Sequence, residues 1–196
     1  MYHEHVALIS RGMRRDLDTF KRGILFVVLS IRQPITKVPE QLRDVCRDPD
    51  SVWLFGHKRA AYDYLDKHAP ALWEACKAAQ RPYDAIMTLL AVPGLGIVKA
   101  AFAAQMMGFD CACLDSRNVT RLGLSPRRYR TDGRPPDKLT GKVRAYLAET
   151  EGRAAEFWND WCEDVAEAYG LDAHGVSALH LACLPVQDRR MPDVPF

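Results

Sequence analysis

The chain has 196 residues, with 27 Lys and Arg against 25 Asp and Glu, and its formal net charge is only +2. A charged fraction of 27% together with 9% aromatic residues argues against disorder. The longest apolar run, residues 23–31, is shorter than the roughly 18–20 residues that a membrane span requires. The first residues lack the basic-then-apolar order of a secretory signal. We therefore expect one domain over residues 1–196, in the cytoplasm, with no membrane partner.

Helical periodicity dominates the sequence. Apolar residues recur at three- and four-residue spacing, as at Phe20, Ile24 and Val27, and no alternation typical of strands is present. The predicted fold class is therefore all-α. Gly170 is the predicted end of the longest helix because glycine tolerates positive φ. The predicted helices cover residues 11–32, 38–47, 57–79, 82–91, 96–107, 115–123, 140–169 and 173–183.

The six cysteines do not form a metal-binding pattern. No two of them make a C-x-x-C pair, and no four are clustered. In a chain without an export signal, we expect reduced and mostly buried thiols and no metal site.

A glycine turn lies between two apolar helical stretches, and the predicted hairpin covers residues 83–107. Gly94 and Gly96 let the backbone turn with no side chain in the way. The amides at the start of the second helix then face outward at its positive end, where a phosphate fits. The alternative is a turn that only connects two helices packed in the core.

The order apolar-Pro-Gly-apolar-Gly-x-x-x-Ala over residues 92–100 resembles the helix-hairpin-helix motif, which grips DNA phosphates. Asp115 follows Gly96 by 19 positions, in the segment CLDSRNVTRLG of residues 113–123. This unit resembles the helix-hairpin-helix DNA glycosylase superfamily (HhH-GPD), which includes endonuclease III and the adenine glycosylases. Residues 24–33, ILFVVLSIRQ, are similar to the early core helix of that family. The resemblance covers residues 20–123 and implies an all-α glycosylase-like core with double-stranded DNA as the partner.

In the family the aspartate after the hairpin serves the chemistry, so the resemblance implies that Asp115 is catalytic. Cleavage of an N-glycosidic bond builds positive charge on the sugar, and one carboxylate placed beside it can stabilise that charge. The alternative is that Asp115 only caps a helix beginning at Ser116. Both interpretations can hold together, because a cap position also aims the carboxylate outward.

Family members that also nick the backbone carry a lysine two positions after the second glycine, where this chain has Val98. Lys99 lies one residue later, about 100° further around the helix. We therefore expect no lyase activity, and Lys99 as a phosphate contact or a solvated lysine. The four-cysteine iron–sulfur loop of many family members is missing, so we expect no cofactor. The resemblance leaves open whether the hairpin binds a monovalent cation.

Basic residues cluster after Asp115. Residues 117–144 hold nine Lys and Arg against two acidic residues, a net charge of +7. Such a run is placed to hold a phosphate backbone, and Tyr129 inside it could stack on a base. A solvated basic loop over residues 124–137 is the alternative. The predicted DNA-binding residues are Gly94, Gly96, Lys99, Arg117, Asn118, Arg121, Arg127, Arg128 and Arg130. For Asn118 and Arg121, on the helix after Asp115, the alternatives are support of the aspartate and a solvated helix face.

The C-terminal part is acidic. Residues 145–196 carry three basic and ten acidic groups, a net charge of −7. We expect the helices of residues 138–196 to pack back on the core and to turn this acidic face to solvent, away from DNA.

The leading hypothesis is a monomeric, glycosylase-like enzyme that acts on a flipped DNA base with help from Asp115. One alternative is a divergent branch of the family, known from bacteriophages, that attaches an amino acid or amine to activated 5-hydroxymethyluracil in DNA. Another is a DNA-binding module without catalysis. The expected location is the cytoplasm beside DNA, or the host cytoplasm if a phage encodes the chain.

Overall fold

The computed structural model describes residues 12–50, 54, 56–125 and 127–170, and it contains helices and no strand within these residues. The predicted all-α class is confirmed. None of the described helices is long and apolar enough to cross a membrane. In chain order the α-helices are α1 Leu17–Leu29, α2 Val38–Arg47, α3 Gly56–Ala78, α4 Pro82–Leu89, α5 Ile97–Met106, α6 Ser116–Arg121, α7 Thr140–Thr150 and α8 Ala154–Tyr169. Short 3-10 helices cover Ile35–Lys37 and Pro136–Leu139.

Helix α1 lies in the centre of the fold, and its second half, residues 23–29, is buried throughout. It packs against α2, α3 and α5. It begins six residues later than predicted, because Asp16 caps it: the Asp16 carboxylate accepts a hydrogen bond of 2.7 Å from the Thr19 amide. A tight turn in which the Gly12 carbonyl accepts from the Asp16 amide precedes the cap.

The long helix predicted over residues 140–169 is wrong. The structure has two helices there, α7 and α8, with a break at residues 151–153. Gly152 adopts a φ of 80°, a left-handed conformation in which an α-helix does not continue. Gly170 ends α8 in the left-handed conformation, as predicted. The helix predicted over 173–183 lies outside the described residues.

One buried apolar cluster joins the described helices. The C-terminal helices contribute to it through Tyr146 of α7 and through Phe157 and Trp158 of α8, all less than 5% exposed. Helix α5 is buried nearly all round, and its small side chains, including Ala100 and Ala101, let neighbouring helices approach closely. Helix α4 packs against both α5 and α7. The α4–α5 hairpin is therefore fixed between α1, α3 and α7.

Candidate functional site

The turn between α4 and α5 requires only one of its two glycines. Gly94 has a φ of 82°, which L side chains rarely adopt, and a Cβ there would lie 2.9 Å from Cδ2 of His57. Gly96 is extended, with φ −87° and ψ 175°. A Cβ on Gly96 would find its nearest neighbour, Cγ2 of Thr131, at 3.8 Å, an ordinary contact. The backbone thus demands glycine at position 94 but not at position 96.

The start of α5 presents free amides. Gly96 is the N-cap and offers no side-chain acceptor to the first turn. The first intrahelical bond runs from the Ala100 amide to the Gly96 carbonyl, at 2.9 Å. The amides of residues 97–99 therefore have no intrahelical acceptor and lie at the positive end of the helix. This end of α5 can accept an anion.

A cleft of about 330 Å³ separates the hairpin turn from the loop of residues 129–132. It brings together four of the predicted DNA-binding residues, Gly94, Gly96, Lys99 and Arg130. We call it the hairpin cleft. Its lining residues are Gly94, Gly96, Ile97, Val98, Lys99, Tyr129, Arg130, Thr131 and Asp132.

Tyr129 is not placed to stack on a base. Its side chain is 5% exposed, and its ring packs edge-on against Tyr146 with the ring centroids 4.9 Å apart. The stacking prediction for Tyr129 is therefore wrong: the ring is part of the wall between the hairpin cleft and the core. Its buried hydroxyl has no hydrogen-bond partner among the described residues.

Asp115 is the N-cap of α6. One carboxylate oxygen, Oδ1, accepts hydrogen bonds of 3.0 Å from the amides of Arg117 and Asn118. The other oxygen, Oδ2, accepts none from the described residues. The side chain is only partly buried. The capping prediction holds, and it leaves one oxygen of Asp115 unused by the fold.

The extended segment before Asp115 is held by buried polar side chains of neighbouring helices. Gln105 of α5 accepts a 3.1 Å hydrogen bond from the Cys113 amide. The Tyr146 hydroxyl accepts one of 2.8 Å from the Leu114 amide and donates one of 2.6 Å to the Ala112 carbonyl. Burial raises the pKa of Tyr146 well above its usual value, so the hydroxyl stays protonated and remains a donor. These bonds fix the backbone that carries Asp115.

Sequence reasoning missed Gln105 and Tyr146 as site-building residues. Both lie at helical spacing among apolar neighbours, where the pattern indicates only core packing. Their hydrogen bonds span 8 and 32 residues, so no local motif records them.

Asn118 is buried and does not reach solvent. Its side chain is 4% exposed, and its Nδ2 donates a 3.0 Å hydrogen bond to the Cys113 carbonyl. The predicted DNA contact by Asn118 is therefore wrong, whereas the alternative that Asn118 supports the aspartate agrees with its hydrogen bonds. The side chain instead ties α6 to the segment that carries Asp115.

Much of the predicted basic surface is neutralised within the protein. Arg117 pairs with Asp164 of α8 at 2.8 Å, and Arg121 pairs with Asp160 at 3.1 Å and with Asp164 at 3.4 Å. We call these contacts the α6–α8 clasp. The acidic C-terminal face is not wholly turned to solvent as expected, because these two carboxylates bind arginines predicted to hold DNA. Arg128 is likewise paired, with Glu149 at 3.0 Å.

Three arginines of the loop are not paired with a carboxylate of the described residues. Arg127, Arg130 and Arg134 are exposed and have no ion-pair partner among the described residues. Arg144 lies over the Tyr83 ring, at 5.7 Å from its centroid. Among the described cations of residues 117–144, those without an ion pair or ring contact therefore lie on the loop, and Arg130 among them lines the hairpin cleft.

Two lysines converge on the end of α1. The Lys99 ammonium lies 3.0 Å from the Ser30 hydroxyl, and the Lys58 ammonium donates a 2.9 Å hydrogen bond to the Leu29 carbonyl. Both cations stabilise the negative end of that helix. Lys58 is 4% exposed, and burial lowers its pKa. Lys99 is thus anchored to α1 at the edge of the hairpin cleft.

Cys113 lies between the hairpin and Asp115. Burial raises the pKa of its thiol to about 12, with Lys99 lowering it and Asp115 raising it through their charges. The thiol is therefore protonated at neutral pH and is not a nucleophile. No group of three or more metal-ligating side chains is clustered within the described part of the chain.

No protein-family model matches the chain, and the comparisons with curated proteins and with solved structures found no match.

Proposed function

We propose that this protein binds double-stranded DNA and acts on a flipped base, as a DNA glycosylase-like enzyme without lyase activity. The observation that carries the proposal is the state of Asp115, whose Oδ1 caps α6 while Oδ2 takes no bond from the described residues. A carboxylate needed only as a cap does not require the rigid support that Gln105 and Tyr146 give its backbone.

The hairpin cleft supplies the anchor for DNA. A phosphate at the start of α5 would meet the amides of residues 97–99 and the positive end of the helix. Arg130, unpaired on the opposite wall, adds a charge-assisted contact. These contacts are made to the backbone, so they hold DNA without reading its sequence. Fixing the backbone is what allows one nucleotide to be drawn out of the stack, at a cost of a few kcal/mol.

Asp115 then serves the chemistry. As the bond between base and sugar breaks, positive charge develops on the sugar, and the free Oδ2 stabilises it or orients the attacking water. In the absence of a nucleophilic amine the reaction ends at the abasic site. Lys99 does not replace the missing family lysine, because it lies one position later on α5, about 100° further around the helix, where its ammonium contacts Ser30 of α1.

The test is a product analysis on defined duplexes. The protein is incubated with DNA containing uracil, 8-oxoguanine, alkylated bases or activated 5-hydroxymethyluracil, with and without amino acids, and the products are identified by mass spectrometry. We expect free base, no strand nick, and no protein–DNA adduct on borohydride reduction. A heavier nucleoside in place of free base would instead indicate the transferase of the phage-type branch.

Asp115→Asn is the decisive variant, and Asp110→Asn is its control, because Asp110 is an exposed aspartate of the same segment. We expect Asp115→Asn to abolish product formation while it keeps DNA binding. DNA binding without product in any duplex, unchanged in Asp115→Asn, would overturn the proposal in favour of a binding module.

A second measurement does not require the base to be known. Duplexes carrying either a cationic pyrrolidine abasic analogue or a neutral tetrahydrofuran abasic analogue differ only in the charge that Asp115 would meet. Since an enzyme binds transition-state mimics more tightly than neutral analogues, we expect the cationic duplex to be preferred and Asp115→Asn to lose the preference.

A further inference from the structure

We infer that the α6–α8 clasp is a positioning device for Asp115, with Asp164 of α8 acting on it through Arg121 and Asn118. The inference deepens the proposed function and rests on it. It assigns the acidic C-terminal helix a role in the chemistry, whereas its sequence indicates only a solvated face.

The clasp forms a continuous chain of polar contacts that ends at the backbone before Asp115. Asp164 Oδ1 lies 3.4 Å from Nη2 of Arg121, whose Nη1 donates a 3.2 Å hydrogen bond to Oδ1 of Asn118. The other end of that amide, Nδ2, donates to the Cys113 carbonyl at 3.0 Å. Cys113 precedes Asp115 by two residues. A shift of α8 is thus transmitted to the segment that carries the carboxylate.

The Arg121 contact also sets the orientation of the Asn118 amide. An amide has one acceptor end and one donor end, and the donor end must face the Cys113 carbonyl. The cationic guanidinium fixes the acceptor end on the other side. Because the Asn118 backbone amide is one of the two donors to Asp115 Oδ1, Asn118 holds both the segment and the carboxylate.

Asp164 is the carboxylate that the two arginines of the clasp share, while Asp160 contacts Arg121 as well, at 3.1 Å. Oδ1 of Asp164 contacts Arg117 at 2.8 Å and Arg121 at 3.4 Å, so one carboxylate holds both arginines of α6. Its side chain is only 14% exposed, against 57% and 46% for the two arginines. A largely buried carboxylate between two arginines is weakly screened by salt, unlike an exposed pair. This burial favours a permanent bridge over one that DNA phosphates displace.

The experiment compares the affinities for the cationic and the neutral abasic duplexes. We expect Asp164→Asn to reduce the preference for the cationic duplex about tenfold, because a small misplacement of a reacting group has effects of this size. Affinity for the neutral duplex should stay as in the wild type. Asp164→Glu keeps the charge and should retain most of the preference.

Glu163→Gln is the matched control, since Glu163 is the exposed neighbour on α8 and loses the same charge. Its preference should equal that of the wild type. Thermal unfolding identifies a variant that fails to fold. In that case Arg121→Lys, which keeps the charge but loses the two-sided contact, takes the place of Asp164→Asn and should show the same tenfold loss.

The outcomes separate the two proposals. If Asp115→Asn loses the preference but the folded clasp variants keep it, the positioning inference is overturned and the proposed function stands. If Asp164→Asn tightens binding to both duplexes equally, the clasp competes with DNA, and the inference is again overturned. A wild type without any preference overturns the proposed function, and the inference falls with it.

Discussion

Two glycines of the hairpin look equivalent in the sequence but differ in the structure. Gly94 has a left-handed backbone next to His57, whereas Gly96 is extended and a Cβ there would make only an ordinary contact with Thr131. Fold stability therefore explains Gly94. It does not explain Gly96, which lies at the mouth of the hairpin cleft, where a methyl group would stand beside the free amides of α5.

Gly94→Ala and Gly96→Ala test this division. We expect Gly94→Ala to lower the free energy of unfolding by roughly 1–2 kcal/mol or more, from backbone strain and the contact with His57. Gly96→Ala should cost less than about 1 kcal/mol, because only the cap preference changes. Urea unfolding measures both values.

For DNA binding we expect the larger effect from Gly96→Ala, the variant with the smaller effect on stability. Gly96→Ala should weaken DNA binding, since the added methyl group keeps a phosphate from the amides. If the folded Gly96→Ala protein binds a DNA duplex as tightly as the wild type, the hairpin is not the phosphate anchor.

Lys58 gives a prediction about pH. Burial lowers its pKa below the unfolded value, so between the two pKa values the unfolded chain binds more protons than the folded one. Stability contributed by this group therefore rises as pH increases from the lowered pKa toward the ordinary lysine value.

The difference in melting temperature between the wild type and Lys58→Met isolates this effect, because other titrating groups cancel. We expect the wild type to gain stability relative to the variant as the solution becomes alkaline. A difference that stays constant with pH would show that Lys58 is fully charged and normally solvated in the folded protein.

At the scale of elements, the packing of α7 and α8 divides the basic residues into those paired with a carboxylate and those without a partner. Arginines on α6 and Arg128 are paired with carboxylates of α7 and α8, whereas Arg130 faces the hairpin cleft without a partner. Sequence proximity does not distinguish Arg128 from Arg130, which are two positions apart. Their tertiary partners do.

Arg130→Ala and Arg128→Ala form a matched pair. We expect Arg130→Ala to weaken DNA binding several-fold and to leave stability unchanged. Arg128→Ala should lower stability by less than about 1 kcal/mol, since its ion pair is half exposed, and should barely affect binding. Fluorescence anisotropy with a labelled duplex measures the affinities. Equal losses from both variants would mean that the Arg128–Glu149 pair opens on DNA.

At the scale of the whole molecule, positive and negative charges lie in separate segments of the sequence, but the fold pairs some of them with each other. A net +7 segment is followed by a net −7 segment, and ion pairs between them leave Arg127, Arg130 and Arg134 as the exposed cations of the loop without a described partner. The surface offered to DNA is therefore narrower than the sequence alone indicates.

The salt dependence of DNA affinity measures how many cations of this surface contact phosphates. Each phosphate neutralised on duplex DNA contributes about −0.9 to the slope of log affinity against log salt. We expect a slope of roughly −3 to −4 from the loop arginines and Lys99. A slope near −8 would show that the paired residues also bind DNA, and a flat dependence would exclude the loop as the binding face.

The sequence by itself determined the helical class, most helix positions and the place of Asp115 at the start of α6. These follow from information within a few residues: periodicity, capping side chains and glycines. The apolar pattern continues across Gly152, so it predicts one helix where the structure has two.

Only the tertiary structure decided which polar side chains are exposed and unpaired, and so able to contact DNA. The sequence predicts Asn118 at a phosphate, but the side chain is buried. It allows Tyr129 to stack on a base, but the ring packs on Tyr146. It predicts Arg121 on DNA, but carboxylates of α8 hold it. The partners of these side chains lie up to 43 residues away in the chain. Whether a charge is paired depends on which helices pack together, and no local pattern contains that information.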